Sequence, residues 1–145
     1  MVREAAKDDL YELLNLYLYL HGDGIPSNSR HLEATWNAIV EDANHHIIVN
    51  EVDGKIVSSC VCVIVPNLTR DVRPYALIEN VVTNKEHRGK GFASECLDYA
   101  KDVAIQNRCY KMMLLTGAKS ESTLDFYRNA GYNSGDKTAF AQWLE

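Results

Sequence analysis

"NKEHRGKGFASECL", Asn84 to Leu97, sets two glycines among basic side chains between two patterns of opposite period. Upstream, "YALIENVVT" (residues 75–83) is rich in β-branched residues and reads as a strand. Downstream, Ala93, Cys96, Leu97, Ala100, Val103 and Ala104 recur at helical spacing. The segment therefore joins a strand to a helix N-terminus, where the first N–H groups lack intrahelical partners and carry the positive end of the helix dipole. Glycines at such a junction leave the backbone open to an anion, so these amides are expected to hold a phosphate.

Two well-known phosphate loops fail on the residues. A Walker A loop needs Gly-Lys followed by Ser or Thr, whereas Lys90 is followed by Gly91. A dinucleotide fingerprint begins with Gly89-x-Gly91, but Ser94 stands at its third glycine, and "KMMLLTG" ends without an acidic residue for a ribose.

The flanking chain supplies the context. Leu10, Leu13, Leu14, Tyr17 and Leu18 follow the acidic pair Asp8 and Asp9 at helical spacing, predicting a first helix over residues 8–20. "HGDGIPSNS" breaks it, and Ser29 or Asn28 caps a second helix carrying Leu32, Trp36, Ile39 and Val40. "HHIIVNEV" and "KIVSSCVCVIV" flank Asp53-Gly54, the pattern of an antiparallel hairpin, and Pro66 ends its second strand. "KMMLL" reads as a further strand, "SESTLDFYRNAGY" as a short helix stopped by glycine, and "TAFAQWL" as a closing strand. With no repeat or linker, residues 1–145 are expected to form one α+β or mixed α/β domain.

Composition narrows the function. At 145 residues, 46% hydrophobic and 24% charged, the chain can bury a real core around a single cleft. Lys plus Arg number 15 against 20 acids, for a net charge of −5, which speaks against a general nucleic-acid binder. No apolar run has the length of a membrane span and "MVREAAKDDL" lacks a signal's apolar region, so a cytoplasmic protein off the membrane is expected. Cys60, Cys62, Cys96 and Cys109 contain no C-x-x-C pair and read as reduced thiols, mostly core filler with no nucleophilic role, a lowered pKa at Cys96 near the helix start staying open. Adjacent His45 and His46 point to opposite strand faces, so no metal site is expected.

Arg88-Gly89-Lys90-Gly91-Phe92-Ala93 resembles the Arg/Gln-x-x-Gly-x-Gly/Ala signature of the GNAT superfamily of N-acetyltransferases. The order of elements is similar over nearly the whole chain, through Phe-Tyr before Gly-Tyr in the last helix. The resemblance implies a mixed, mostly antiparallel sheet flanked by about four helices, a layered α/β architecture. It implies acetyl-coenzyme A as cosubstrate and no metal. The amides of Arg88, Gly89, Lys90, Gly91, Phe92 and Ala93, with Ser94, would hold the pyrophosphate, and Val81, Val82 and Thr83 would offer strand backbone to the pantetheine. Tyr127 falls where the family has a tyrosine near the coenzyme sulfur, and Ser120 where it has a coenzyme-contacting asparagine. "ALIENVVTNKEHRGKG" is also similar to the corresponding stretch of glucosamine-phosphate N-acetyltransferases, with Asn80 in place of an aspartate. The family leaves a homodimer open, and its loop between the first two helices, here "LHGDGIPSNSR", shapes the acceptor pocket.

Acetyl transfer to an amine needs a proton acceptor for the ammonium, a donor for the oxyanion and a proton for the departing thiolate. Strand alternation puts Glu79 with Val81 on one face and Asn80 with Val82 on the other. Glu79 is the candidate base, alone or through ordered water, and Asn80 a candidate substrate contact. A backbone N–H near Val81 would meet the oxyanion and the phenol of Tyr127 would protonate the thiolate. Arg70 and Arg73 are open to an anionic substrate or to solvent. The acceptor stays open among amino sugar, polyamine, amino acid, antibiotic and peptide N-terminus. Two rival functions remain: a catalytically silent sensor that binds acetyl-coenzyme A, and a mononucleotide-binding protein.

Overall fold

Asp53 and Gly54 turn the chain with φ of 51° and 76°, the pair of left-handed residues that a two-residue hairpin requires. They connect β2 (His45–Val52) to β3 (Lys55–Val65), and Pro66, unable to donate to a ladder, follows the last residue of β3. The structure, a computed structural model describing residues 1–145, adds β1 (Val2–Glu4), β4 (Tyr75–Thr83) and β5 (Met112–Leu114) in the order β1-β2-β3-β4-β5. The first four strands are antiparallel to their neighbours, and β5 runs parallel to β4.

Alternation along the strands divides the core. Ile47, Val49 and Val61 face one side and pack with Leu10, Leu13 and Leu16 of α1 (Leu10–Tyr17) and Trp36 of α2 (Arg30–Glu41). Ile48, Cys60, Cys62 and Ile78 face the other and pack with Cys96, Leu97, Ala100 and Val103 of α4 (Phe92–Gln106). Phe126 and Tyr127 of α5 (Glu121–Asn129) extend that second layer. Each fully buried Ile or Leu contributes about 1.5–3 kcal/mol, so the two apolar layers hold the helices to the sheet. β3 lies between both layers, and its buried hydroxyls are satisfied: Ser58 donates to the Val82 carbonyl at 3.0 Å and Ser59 to that of Ile48 at 2.8 Å.

The helix boundaries follow the predicted signals. A 3₁₀ turn (Lys7–Asp9) leads into α1, and of the two candidate caps for α2 it is Ser29 that accepts the Leu32 N–H, at 3.1 Å. The loop after β3 is closed by the one-turn α3 (Thr69–Val72), where Arg70, Asp71 and Val72 have left-handed φ of 56° to 59°. Arg73 donates to the carbonyls of Arg108 and Cys109, and Arg70 lies over the Tyr110 ring at 5.5 Å. Both arginines thus knit the Tyr75 end of the sheet instead of lining the cleft described below.

The predicted closing strand does not form. From Tyr132 onward the chain enters neither helix nor strand, and Phe140, Trp143 and Leu144 are 84–92% exposed. A strand needs an edge as well as β propensity, and β5 offers three residues. Asn133 also turns the chain away, its side-chain oxygen accepting the N–H groups of Gly135 and Asp136.

Candidate active site

β4 and β5 pair over only three positions, Ala76 with Met112 to Ile78 with Leu114. From Glu79 to Thr83, β4 continues while β5 has ended, so one side of its backbone has no neighbouring strand. At this point β4 also bulges. Asn80 takes a left-handed φ of 52°, and the register against β3 shifts between Ser59 and Val61.

The bulge reverses the side-chain phase and corrects the expectation drawn from plain alternation. Glu79 and Asn80 line the same cavity on the α1 face, where Val82 is also buried, whereas Val81 turns to the α4 face with Ile78. Glu79 and Val81 therefore lie on opposite faces, because the extra residue at Asn80 shifts the two-residue period by one.

The unpaired edge leads into the glycine segment. A 3₁₀ turn (Lys85–His87) follows Asn84, and Arg88 Nε donates to the Thr83 carbonyl at 3.3 Å, tying the loop to the strand. Gly89 and Gly91 have φ of 72° and 88°. Gly91 is the N-cap residue of α4, and no side chain caps the amides that follow. A Cβ on either glycine would meet no atom within 4 Å, so nothing crowds the backbone at these two positions. Open glycine backbone beside uncapped amides of Phe92, Ala93 and Ser94 suits a pyrophosphate. The exposed Lys90 adds positive charge at the rim.

Asn50 fixes where this helix starts. It is fully buried in β2 and donates to Glu95 Oε2 at 2.6 Å and to the Phe92 carbonyl at 3.3 Å. Its one signal in the sequence is an amide directly after "HHIIV", where it reads as a strand end.

Tyr127 sits on the α4 face, its ring 5.0 Å from Phe126 and 6.3 Å from Tyr132. Burial pushes its pKa up, and the neighbouring Cys60 adds to the effect. The phenol therefore holds its proton at neutral pH. Ser120 precedes α5 as its N-cap residue, with its hydroxyl 3.0 Å from that of Thr123. Cys96 is core filler and not a reactive thiol: it is fully buried, and desolvation raises its pKa to about 12, outweighing its nearness to the helix start. No group of three or more His, Cys, Asp or Glu is placed to hold a metal ion, and no helix is long and apolar enough to cross a membrane.

On the α1 face a cavity of about 350 Å³ lies between α1, α2 and the sheet, with Glu79 and Asn80 in its lining. Tyr17, Trp36 and His45 also line it, and none of the three was singled out as a site residue from the sequence. Nothing from the loop between α1 and α2 lines it; Leu32, Thr35, Trp36 and Ile39 of α2 do so instead.

This chain belongs to the acetyltransferase (GNAT) family, whose model matches residues 7–132. Among solved structures it is similar to a protein of Agrobacterium tumefaciens str. C58 provisionally named an acetyltransferase, with 36% identity, 99% of each chain covered and a TM-score of 0.92. It is also similar to an acetyltransferase of Trypanosoma brucei, at 26% identity, 99% of each chain and a TM-score of 0.82. A curated relative, glucosamine 6-phosphate N-acetyltransferase of Trypanosoma brucei brucei, is 29% identical over 91 residues. That match spans 63% of this chain and 60% of the relative's length.

Proposed function

We propose that the protein transfers an acetyl group from acetyl-coenzyme A to a primary amine of a small molecule. The observation that carries this reading is the unpaired β4 edge, Glu79 to Thr83, running into the open glycine loop and uncapped amides of α4. The amides of Arg88 to Ala93, with Ser94, hold the pyrophosphate; Val81, Val82 and Thr83 offer backbone to the pantetheine; Ser120 borders it from α5. Acetyl-coenzyme A supplies an activated acetyl thioester when bound.

The chain's own groups then divide the proton work between the two faces of β4. Glu79, exposed on the α1 face, takes the proton of the incoming ammonium, directly or through water. Asn80 beside it orients the amine. A backbone N–H near Val81 meets the charge that develops on the carbonyl oxygen. Tyr127, on the opposite face and kept protonated by burial, gives its proton to the sulfur.

Two variants separate these roles. Tyr127→Phe should lower kcat by about 100-fold with the dissociation constant of acetyl-coenzyme A unchanged. An unaltered kcat would transfer the proton donation to water. Gly91→Val should weaken coenzyme A binding about tenfold by calorimetry, because a β-branched residue is strained at the left-handed φ of this position and shifts the amides that follow it. Unchanged affinity would remove the pyrophosphate from this loop.

Thiol release from acetyl-coenzyme A across a panel of primary amines tests the whole reading. Amine-dependent release with a matching N-acetylated product is expected. Coenzyme A binding without release for any amine would instead favour the silent sensor, and stabilisation by ATP alone would favour the mononucleotide binder.

A further inference from the structure

We infer that the acceptor is a primary amine on an apolar, uncharged body, of the arylalkylamine kind, and not a phosphorylated amino sugar. This rests on the acetyltransferase reading above and concerns the cavity on the α1 face.

Ten of the 14 residues lining that cavity are hydrophobic, among them Leu13, Leu14, Tyr17, Trp36, Ile47 and Val63. Its volume of about 350 Å³ matches a small-molecule site and leaves room for one aromatic ring and a short chain. Trp36 is buried, and its indole N–H already donates to the Lys7 carbonyl at 2.9 Å, so what the ring can offer a ligand is apolar. The polar lining is confined to Thr35, His45, Glu79 and Asn80, with the Tyr17 hydroxyl held beside Asn80 and Ser59. Thr35, Glu79 and Asn80 are exposed and mark the mouth. The body of a ligand therefore meets hydrocarbon, while a polar group at its end meets a carboxylate and an amide beside the unpaired β4 edge.

Charge argues in the same direction. Neither lysine nor arginine lines the cavity. Arg3 is engaged by Asp9 and Glu51, and Lys7 lies 3.7 Å from Glu41. Burial lowers the pKa of His45, which leaves its ring neutral at pH 7. A phosphate entering this cavity would face the Glu79 carboxylate with no cation to pair it, and sugar hydroxyls would be left without partners along the apolar wall. An ammonium on an apolar stem suffers neither cost, and it brings its nitrogen to the group that must deprotonate it.

The test compares kcat/KM for 2-phenylethylamine and glucosamine 6-phosphate at saturating acetyl-coenzyme A. A preference of about 100-fold or more for 2-phenylethylamine is expected, since a missing ion pair and several unpaired polar groups act together. Thr35→Arg, at the exposed mouth, should lower kcat/KM for 2-phenylethylamine about tenfold through repulsion of the ammonium, with acetyl-coenzyme A affinity unchanged. A thermal-shift series reads occupancy independently of turnover: 2-phenylethylamine should stabilise the protein and glucosamine 6-phosphate should not. Faster turnover of glucosamine 6-phosphate would overturn the inference while leaving the acetyltransferase reading in place. Absence of thiol release with every amine tried would overturn that reading, and the inference with it.

Discussion

Glu79→Gln should lower kcat/KM for an alkylamine acceptor by about 100- to 10,000-fold near neutral pH, the range that a positioned general base contributes. The amide keeps the size of the carboxylate and its place at the cavity mouth, so acetyl-coenzyme A affinity should not change. The defect should also depend on pH. An alkylammonium has a pKa of about 10.4, so each unit of rising pH supplies about tenfold more neutral amine without help from the protein. The gap between wild type and variant should therefore narrow between pH 7 and pH 10 in steady-state measurements. A constant gap would make Glu79 a binding group and not a base.

The second large effect is on stability. Cys60, Cys62 and Cys96 are fully buried, and desolvation pushes all three thiols up, Cys62 and Cys96 to about 12. Burial raises Tyr17 in the same way, to about 12. In the unfolded chain the thiols titrate near their ordinary value of 9.0. Between these limits the native state binds more protons than the unfolded state, so stability must fall as pH rises. The contribution is complete below about pH 9 and is lost between about pH 9 and pH 12, at roughly 1.4 kcal/mol per pH unit for each thiol. Urea denaturation under reducing conditions should show little change from pH 7.5 to 8.5 and a loss of several kcal/mol by about pH 10.5. Cys96→Ala should flatten that decline by about a third, as one of three buried thiols. A stability that does not decline above pH 9 would contradict the burial of these thiols.

How far the sequence could be read depended on how local each determinant was. The hairpin at Asp53-Gly54, the cap at Ser29 and the strand-to-helix junction at Gly89 and Gly91 are set by residues within a few positions of one another, and all were legible. The bulge at Asn80 was not. Asn tolerates a left-handed φ, but nothing in "LIENVV" distinguishes a bulge from an ordinary strand. That one residue moved Val81 to the opposite face from Glu79 and put Glu79 and Asn80 in the same cavity. "TAFAQWL" failed for the complementary reason: its β propensity is local, whereas the edge it needed depends on where β5 stops. Asn50, Ser58 and Ser59 are polar residues inside strands, and their value lies in partners 11 to 45 positions away. The cavity on the α1 face is likewise a tertiary object, assembled from α1, α2 and three strands, and of its lining only Glu79 and Asn80 stand out in the sequence as site candidates.

The most direct test of the acetyltransferase site is a crystal structure with acetyl-coenzyme A bound. The pyrophosphate should lie on the amides of residues 88 to 94, the pantetheine along the unpaired β4 edge, and the thioester should be within reach of Tyr127 on one side and open to Glu79 and its cavity on the other. Coenzyme bound away from the gap between β4 and β5, or a thioester walled off from the Glu79 cavity, would contradict it.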